Sequence, residues 1–367
     1  ASDNVAVGYQ ALDTNTTGSC NTSVGHSSLF SNTTGDHNTA VGKNALILNT
    51  TGEFNVSVGS GSLDANTEGV KNTSVGAFTL TANTTGDCNT AVGQEALGDN
   101  TTATNNTAVG FNAMCANTTG TNNVAVGKSA LLANTTASNN IAIGLDSMCV
   151  NQTGTKNVAM GTDTLRNSTG NNNTAVGYLS LQDNTSGGNT VAVGVCALLN
   201  QTTGDSNIGV GERAGCGLTT GNGNILIGQG IGQATITGHC NVGVAYQGLL
   251  SLTSGGCNVA MGYRSLYNTT TGNNNSGIGR HSGCGITTGV NNTLLGHEAG
   301  TSSSPFTLTT EDHRVVVGNN DVSNAYIRVA WTVTSDLRDK TNFGKVPHGL
   351  DFVNKLKPVS FQFKKSR

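Results

Sequence analysis

Asn38-Thr39-Ala40-Val41-Gly42 is followed, seventeen residues on, by Asn55-Val56-Ser57-Val58-Gly59. The same phrase (Asn, any residue, small, apolar, Gly) runs through most of the chain. Its Gly stands at 8, 25, 42, 59, 76, 93, 110, 127, 144 and 161, skips one residue, and resumes at 177, 194, 211, 228, 262, 279 and 296. Ala245 holds the remaining slot, and the missing residue falls between Leu165 and Gly170. Eighteen repeats at a fixed period are the sequence sign of stacked structural units.

With that Gly as position zero, the columns read chemically. Position −1 is always apolar (Val7, Val24, Ile143, Met160), position −2 is nearly always tiny (Ala6, Ser23, Gly277), and position −3 is Val, Ile, Thr or Ser. Position −4 is Asn in seventeen repeats, with Thr190 the exception. Position +4 is mostly Leu or Met, giving way to Gly at 215, 232, 283 and 300, and Asn-Thr-Thr-Gly tracts supply a second Gly near +10. Alternation over three residues reads as a short strand, and Gly and Asn provide the corners because both tolerate positive φ.

A strand of about four residues with two corners per repeat is too short for a strand–helix–strand unit and suits one coil of a solenoid. The spacing therefore predicts an all-β chain, a parallel β-solenoid or β-roll of eighteen 17-residue repeats over 1–300. A linker and β-rich neck follow over 301–334, and a small α+β stub over 335–367. Asn4, Asn21 and Asn38 are expected to form a ladder of side-chain amides, and Gly8, Gly25 and Gly42 to turn the corners. The Val column at −1 is expected inside, with the small −2 column outside, where another surface can approach closely. One buried Val and one Leu per coil is a thin core, which favours lateral association into a homotrimer.

Composition bounds the function. The 367 residues include 51 Gly, about twice ordinary usage, with 11% charged, 4% aromatic and a net charge of −3. There is no basic footprint for nucleic acid and no run of 18 apolar residues to insert into a membrane. The chain starts inside a repeat without Met and ends at Arg367, so it is expected to be a piece of something longer. The nine cysteines show no C-x-x-C pair, which speaks against zinc. Cys240 and Cys257 share a position on adjacent repeats, where a disulfide is geometrically possible. Asn15, Asn32, Asn49, Asn83, Asn117, Asn134 and Asn268 open glycosylation-type triplets that composition alone would generate. Gly228-Gln229-Gly230-Ile231-Gly232 lacks the Lys-Ser/Thr ending of a phosphate loop. Asp and Glu read as spread along the chain, against a carboxylate-paired glycan hydrolase. No cofactor is called for.

Two resemblances sharpen this reading. The recurring Asn-Val-Ala-Val-Gly and Asn-Thr-Ala-Val-Gly phrases over roughly 4–300 resemble the head repeats of trimeric autotransporter adhesins and related phage tail-fibre shafts, although such heads commonly repeat every 14 residues. Ser335-Asp336-Leu337-Arg338-Asp339-Lys340-Thr341-Asn342, with Gly349-Leu350-Asp351-Phe352 and Leu356-Lys357-Pro358-Val359-Ser360-Phe361, resembles the start of the intramolecular chaperone of endosialidases and tail fibres. That resemblance implies a chaperone that drives trimerisation and then cuts itself off. Ser335 would be the nucleophile, Asp336 the new N-terminus and Lys340 the assisting base. The expected protein is a structural, non-enzymatic fibre of a virion tail or other extracellular appendage, self-associating and presenting a surface to a host glycan or protein. A surface adhesin on the same shaft and an ice-binding solenoid are the alternatives.

Overall fold

The computed structural model describes residues 1–326. The expected α+β stub over 335–367 lies outside the described residues. Nineteen three-residue strands follow one another, from β1 (Val5–Val7), β2 (Thr22–Val24) and β3 (Thr39–Val41) to β18 (Thr293–Leu295) and β19 (Val315–Val317). Each pairs in parallel with the next, one repeat apart: Val5 opposite Thr22, Thr22 opposite Thr39, and so on. The chain is a parallel β-solenoid, with no helix among the described residues. At about 4.8 Å per strand the stack runs roughly 85 Å. It does not stop at Gly300. A longer loop through Pro305 returns to place Val315 opposite Thr293, and the same compact unit continues to Val322.

Hydrogen bonding follows the coil beyond its strand. In the second coil Thr22 N–H donates to Asn38 O at 2.8 Å and Leu29 N–H to Ala45 O at 3.0 Å, while Thr33 N–H reaches Thr50 O at 3.0 Å. The corner after the strand depends on Gly. Seventeen of the position-zero residues have φ between 109 and 144°, a region closed to side chains. A Cβ on Gly25 would also collide with the backbone of Gly42 in the next coil. Ala245 is accommodated because its own φ leaves that region.

The inside of the strand is the reverse of the sequence expectation. Ala40, Ser57, Ala91 and Ala125 at −2 are fully buried. The apolar residues at −1 are never buried: nine of the eighteen are exposed, from 36% at Val41 to 58% at Val7, and the others, Val92 and Val126 among them, are half-buried. The reason is width: the cavity of a 17-residue coil has room opposite the strand for one long side chain, and Leu at +4 takes it. Leu29, Leu46, Leu63 and Leu80 are fully buried there, so only Ala, Ser or Gly fits across from them. The small column is therefore the core wall and not a contact face for another surface.

Those leucines sit in a costly backbone state, with φ of 48° at Leu29 and 51° at Leu46 and Leu63. The left-handed region costs a side chain about 1–2 kcal/mol, and burying Leu returns about 1.5–3 kcal/mol. The near balance explains why Leu and Gly exchange in this column. Where +4 is Gly215, the space is filled by Leu198 from the preceding coil and by Leu226 at −2 of the following one. A Cβ on Gly215 would lie 2.7 Å from Leu198 and 2.9 Å from Leu226. Leu294 does the same over Gly283, at 3.2 Å.

Two amide ladders line the remaining interior. At −4, Asn38 N–H donates 2.8 Å to Asn21 Oδ1, and its own Nδ2 donates 2.8 Å to Gly52 O. Asn4 starts this ladder, accepting from Asn21 N–H at 2.9 Å. At +7, Asn49 Nδ2 donates 2.9 Å to Asn32 Oδ1 and 3.0 Å to the same Gly52 carbonyl. The −4 ladder continues to Asn292, whereas the +7 ladder ends. Ser168 interrupts it in the 16-residue coil, Gln201 is its last amide, and Leu218, Ile236, Leu252, Thr269 and Ile286 then occupy that corner, all fully buried.

Candidate functional site

Two surfaces stand out once the interior is assigned. The first is the outer face of the sheet. Positions −3 and −1 both point outward along the strand face, whereas position +1 lies past the Gly corner, where Phe111, Leu145, Tyr178 and Val195 are each more than 40% exposed. An apolar stripe therefore runs along the stack, with one set of side chains every strand spacing. A contiguous apolar stripe on a chain with 11% charged residues marks an interaction face.

The second surface lies on coils 15–18, in positions +1 and +2. Tyr246 and Tyr263 are stacked with centroids 5.6 Å apart and planes 2° from parallel. His281 continues the stack 5.2 Å from Tyr263. The Arg264 guanidinium lies 5.3 Å from the Tyr263 ring centre and 5.1 Å from that of Tyr267, and Arg280 lies 5.8 Å from Tyr263. Arg264 Nε donates 3.0 Å to Gln247 Oε1, and Arg280 Nη1 donates 3.0 Å to His297 Nε2. The rings stay accessible at their edges, Tyr246 at 45% and Tyr263 at 38% exposed. Burial, and then the neighbouring Arg280 charge, push the His281 imidazole down from its ordinary value. Its Nε2 is buried without a hydrogen-bond partner.

Sequence reading missed this cluster, although a signal was there. Residues 1–212 hold fourteen Asp and Glu against only Lys43, Lys71, Lys128, Lys156 and Arg166. Between Glu212 and Glu298 there is no acidic residue at all, and the chain carries Arg213, Arg264 and Arg280. The acids are therefore not evenly spread.

The other sequence candidates fall as follows. Asn4, Asn21 and Asn38, with Gly8, Gly25 and Gly42, stand in the ladder and corner columns. Asn32, Asn49, Asn83, Asn117 and Asn134 are fully buried in the +7 ladder and are closed to glycosylation, whereas Asn268 is exposed. Cys240 and Cys257 are exposed free thiols on adjacent coils. Burial pushes the thiols of Cys115, Cys149 and Cys284 up, with Arg166 opposing it at Cys149. The Thr hydroxyls at +8 are spent inside the stack: Thr33, Thr50 and Thr67 each donate to the next coil's carbonyl, at 3.1, 3.0 and 3.2 Å. Among the described residues no three His, Cys, Asp or Glu side chains converge to hold a metal ion, and no helix is long and apolar enough to cross a membrane. Ser335, Asp336 and Lys340 lie outside the described residues.

Residues 335–367 match the family described as Chaperone of endosialidase. No curated protein matches the chain.

Proposed function

We propose that this chain is the shaft of a fibrous appendage of the phage tail-fibre type, assembled as a homotrimer and carrying a chaperone segment at 335–367 that directs assembly. The observation that carries the reading is the outer sheet face. Its apolar side chains repeat at the strand spacing over nineteen strands, from Val5–Val7 to Val315–Val317. A partner that covers such a stripe over its whole length needs the same repeat, and a second copy of the chain has it. Covering −1 side chains that are half-buried or exposed along the whole stack removes apolar surface from water at about 25 cal/mol per Å². The chaperone match at 335–367 supports the same reading from the other end of the sequence.

In this reading the work is mechanical: a stiff rod whose interior is closed by amide ladders and whose surface reaches a host. Ser335, Asp336 and Lys340 are the proposed self-cleavage residues, acting once per chain: the Ser335 hydroxyl attacks the carbonyl carbon of the Ser335–Asp336 bond, Lys340 takes its proton and passes it to the departing Asp336 amine as the C–N bond breaks, and water hydrolyses the resulting ester to leave a chain ending at Ser335. Native mass measurement followed by denaturing mass on the same sample tests both parts. Three chains of up to 37.2 kDa each are expected, and chains ending at Ser335 would show the cleavage. A stable monomer overturns the fibre reading.

A further inference from the structure

We propose that the Tyr246–Tyr263–Arg264–Arg280 cluster on coils 15–18 is a binding site for a carboxylate-bearing saccharide chain. The inference rests on the attachment part of the fibre reading and locates it. Three independent observations carry it. The first is composition: in a sequence whose turns are Asn, Thr, Ser and Gly, three of the six tyrosines and two arginines fall between 246 and 280. Nothing in the coil's interior calls for them, since positions +1 and +2 are outside the packed columns.

The second is charge. The stretch from Arg213 to His297 has no acidic residue, beside coils that carry a large acidic excess, and Glu298 next to His281 and His297 is the one carboxylate at its border. An anion is repelled along coils 1–12 and attracted here, so the field focuses it on one part of the rod. The third is geometry. The rings of Tyr246, Tyr263 and His281 lie face to face along the stack, so the Tyr246 and Tyr263 hydroxyls and the Arg264 and Arg280 guanidiniums supply O–H and N–H donors on successive coils. Arg264 and Arg280 are each held over the Tyr263 ring, which orders them before a ligand arrives and spares part of the entropy of binding.

The same features select among anions. Ring faces already stacked on one another offer no platform for nucleobases, and three Arg with no Lys over this stretch are too few for a densely charged phosphate backbone. A saccharide with carboxylates spaced along a hydroxyl-rich chain matches both the sparse guanidiniums and the Tyr hydroxyls.

The test uses the full chain on an immobilised panel: uronate- and nonulosonate-containing oligosaccharides, their carboxyl-reduced counterparts, and single-stranded DNA. Retention is expected on carboxylate-bearing members only, weakening as salt rises. It should fall about tenfold or more in Arg264→Ala/Arg280→Ala, stay largely intact in Arg264→Lys/Arg280→Lys, and be unchanged in Lys128→Ala. Equal retention of the carboxyl-reduced members, retention of DNA alone, or indifference to the double Ala variant would overturn the proposal. Mass measurement on the same samples separates the two levels. An assembled fibre that ignores every acidic saccharide overturns this inference alone, whereas a monomer overturns the fibre reading first.

Discussion

The first twelve coils and the last seven wind the same backbone and fill it differently. In the first set, a tiny residue at −2 faces Leu or Met at +4, and Asn closes the far corner at +7 with a ladder running from Asn15 through Asn32 and Asn49 to Asn134. In the second set, Leu moves to −2 at 226 and 294 where +4 is Gly, and Leu218, Ile236, Leu252, Thr269 and Ile286 replace the amides. The outside changes with the inside: the first set is acidic, and from Arg213 to His297 the chain carries no acid and gathers Tyr and Arg. A coil of this width thus accepts two core solutions. What is held constant is the filled volume, while residue identity is free to vary.

Swapping the two solutions should break the difference most strongly. Leu226→Ala is expected to cost about 2–5 kcal/mol by leaving a cavity over Gly215. Gly215→Leu alone should cost about 1–3 kcal/mol by overpacking against Leu198 and Leu226. The pair together should cost clearly less than the two summed, because the double variant rebuilds the pattern of the first coils. Urea denaturation of the three variants checks this, and strict additivity would show that the coils do not trade volume.

The ladder offers the next contrast. Asn83→Leu strands Asn66 Oδ1, which Asn83 binds at 2.9 Å, and removes the 2.8 Å bond from Asn100 Nδ2, which keeps only Ala103 O. A loss of about 1–3 kcal/mol per orphaned group is expected. Leu218→Asn should also destabilise, because Ile236 beside it offers no partner. If either substitution is tolerated in melting experiments, the two corners are not the distinct environments described here.

A covalent test follows at the second set. With oxidised glutathione as acceptor, Cys240 and Cys257 are expected to give up two hydrogens and join, visible as a mass loss and as protection of both from alkylation. Separate alkylation of both after oxidation would show that the adjacent thiols do not pair. Cys149, buried with its thiol pushed up, should resist alkylation under the same conditions.

The smallest effect is on pH dependence. His281 is held below its ordinary value of 6.5 by burial and then by Arg280, with Arg264 and His297 acting in the same direction and Glu298 against. The unfolded chain therefore takes up this proton first as pH falls. Stability is full above about 6.5 and is lost below it, until the folded imidazole also titrates. His281→Gln should flatten that slope in melts at pH 8 and 5, and an unchanged slope would remove His281 as its source.

Much of this molecule was legible in the sequence. The Gly column fixed period, strand position and corner, since no other residue fits against Gly42 at Gly25. The −4 amide ladder followed from Asn recurring in one column. Inside and outside were misread because hydrophobicity ranks Val41 above Ala40, whereas the coil is too narrow for Val opposite Leu46. Only the three-dimensional width of the coil decides that. Asn32 and Asn49 look like glycan acceptors in the linear text, and stacking alone reveals them as interior. The Tyr–Arg cluster was hidden by a period of seventeen, which separates Tyr246, Tyr263 and Arg280 in sequence and brings them side by side in space.

The central claim is that the outward Val, Ile and Met face is covered by further copies of the chain. Sedimentation equilibrium of the full chain beside Val92→Lys/Val126→Lys tests it most directly, because both sites are outward position −1 residues on the stripe and leave the core columns intact. The account predicts three chains for the unaltered protein and dissociation in the Lys variant with its β circular-dichroism signal retained. A monomeric unaltered chain, or a Lys variant that assembles as well as the original, would contradict it.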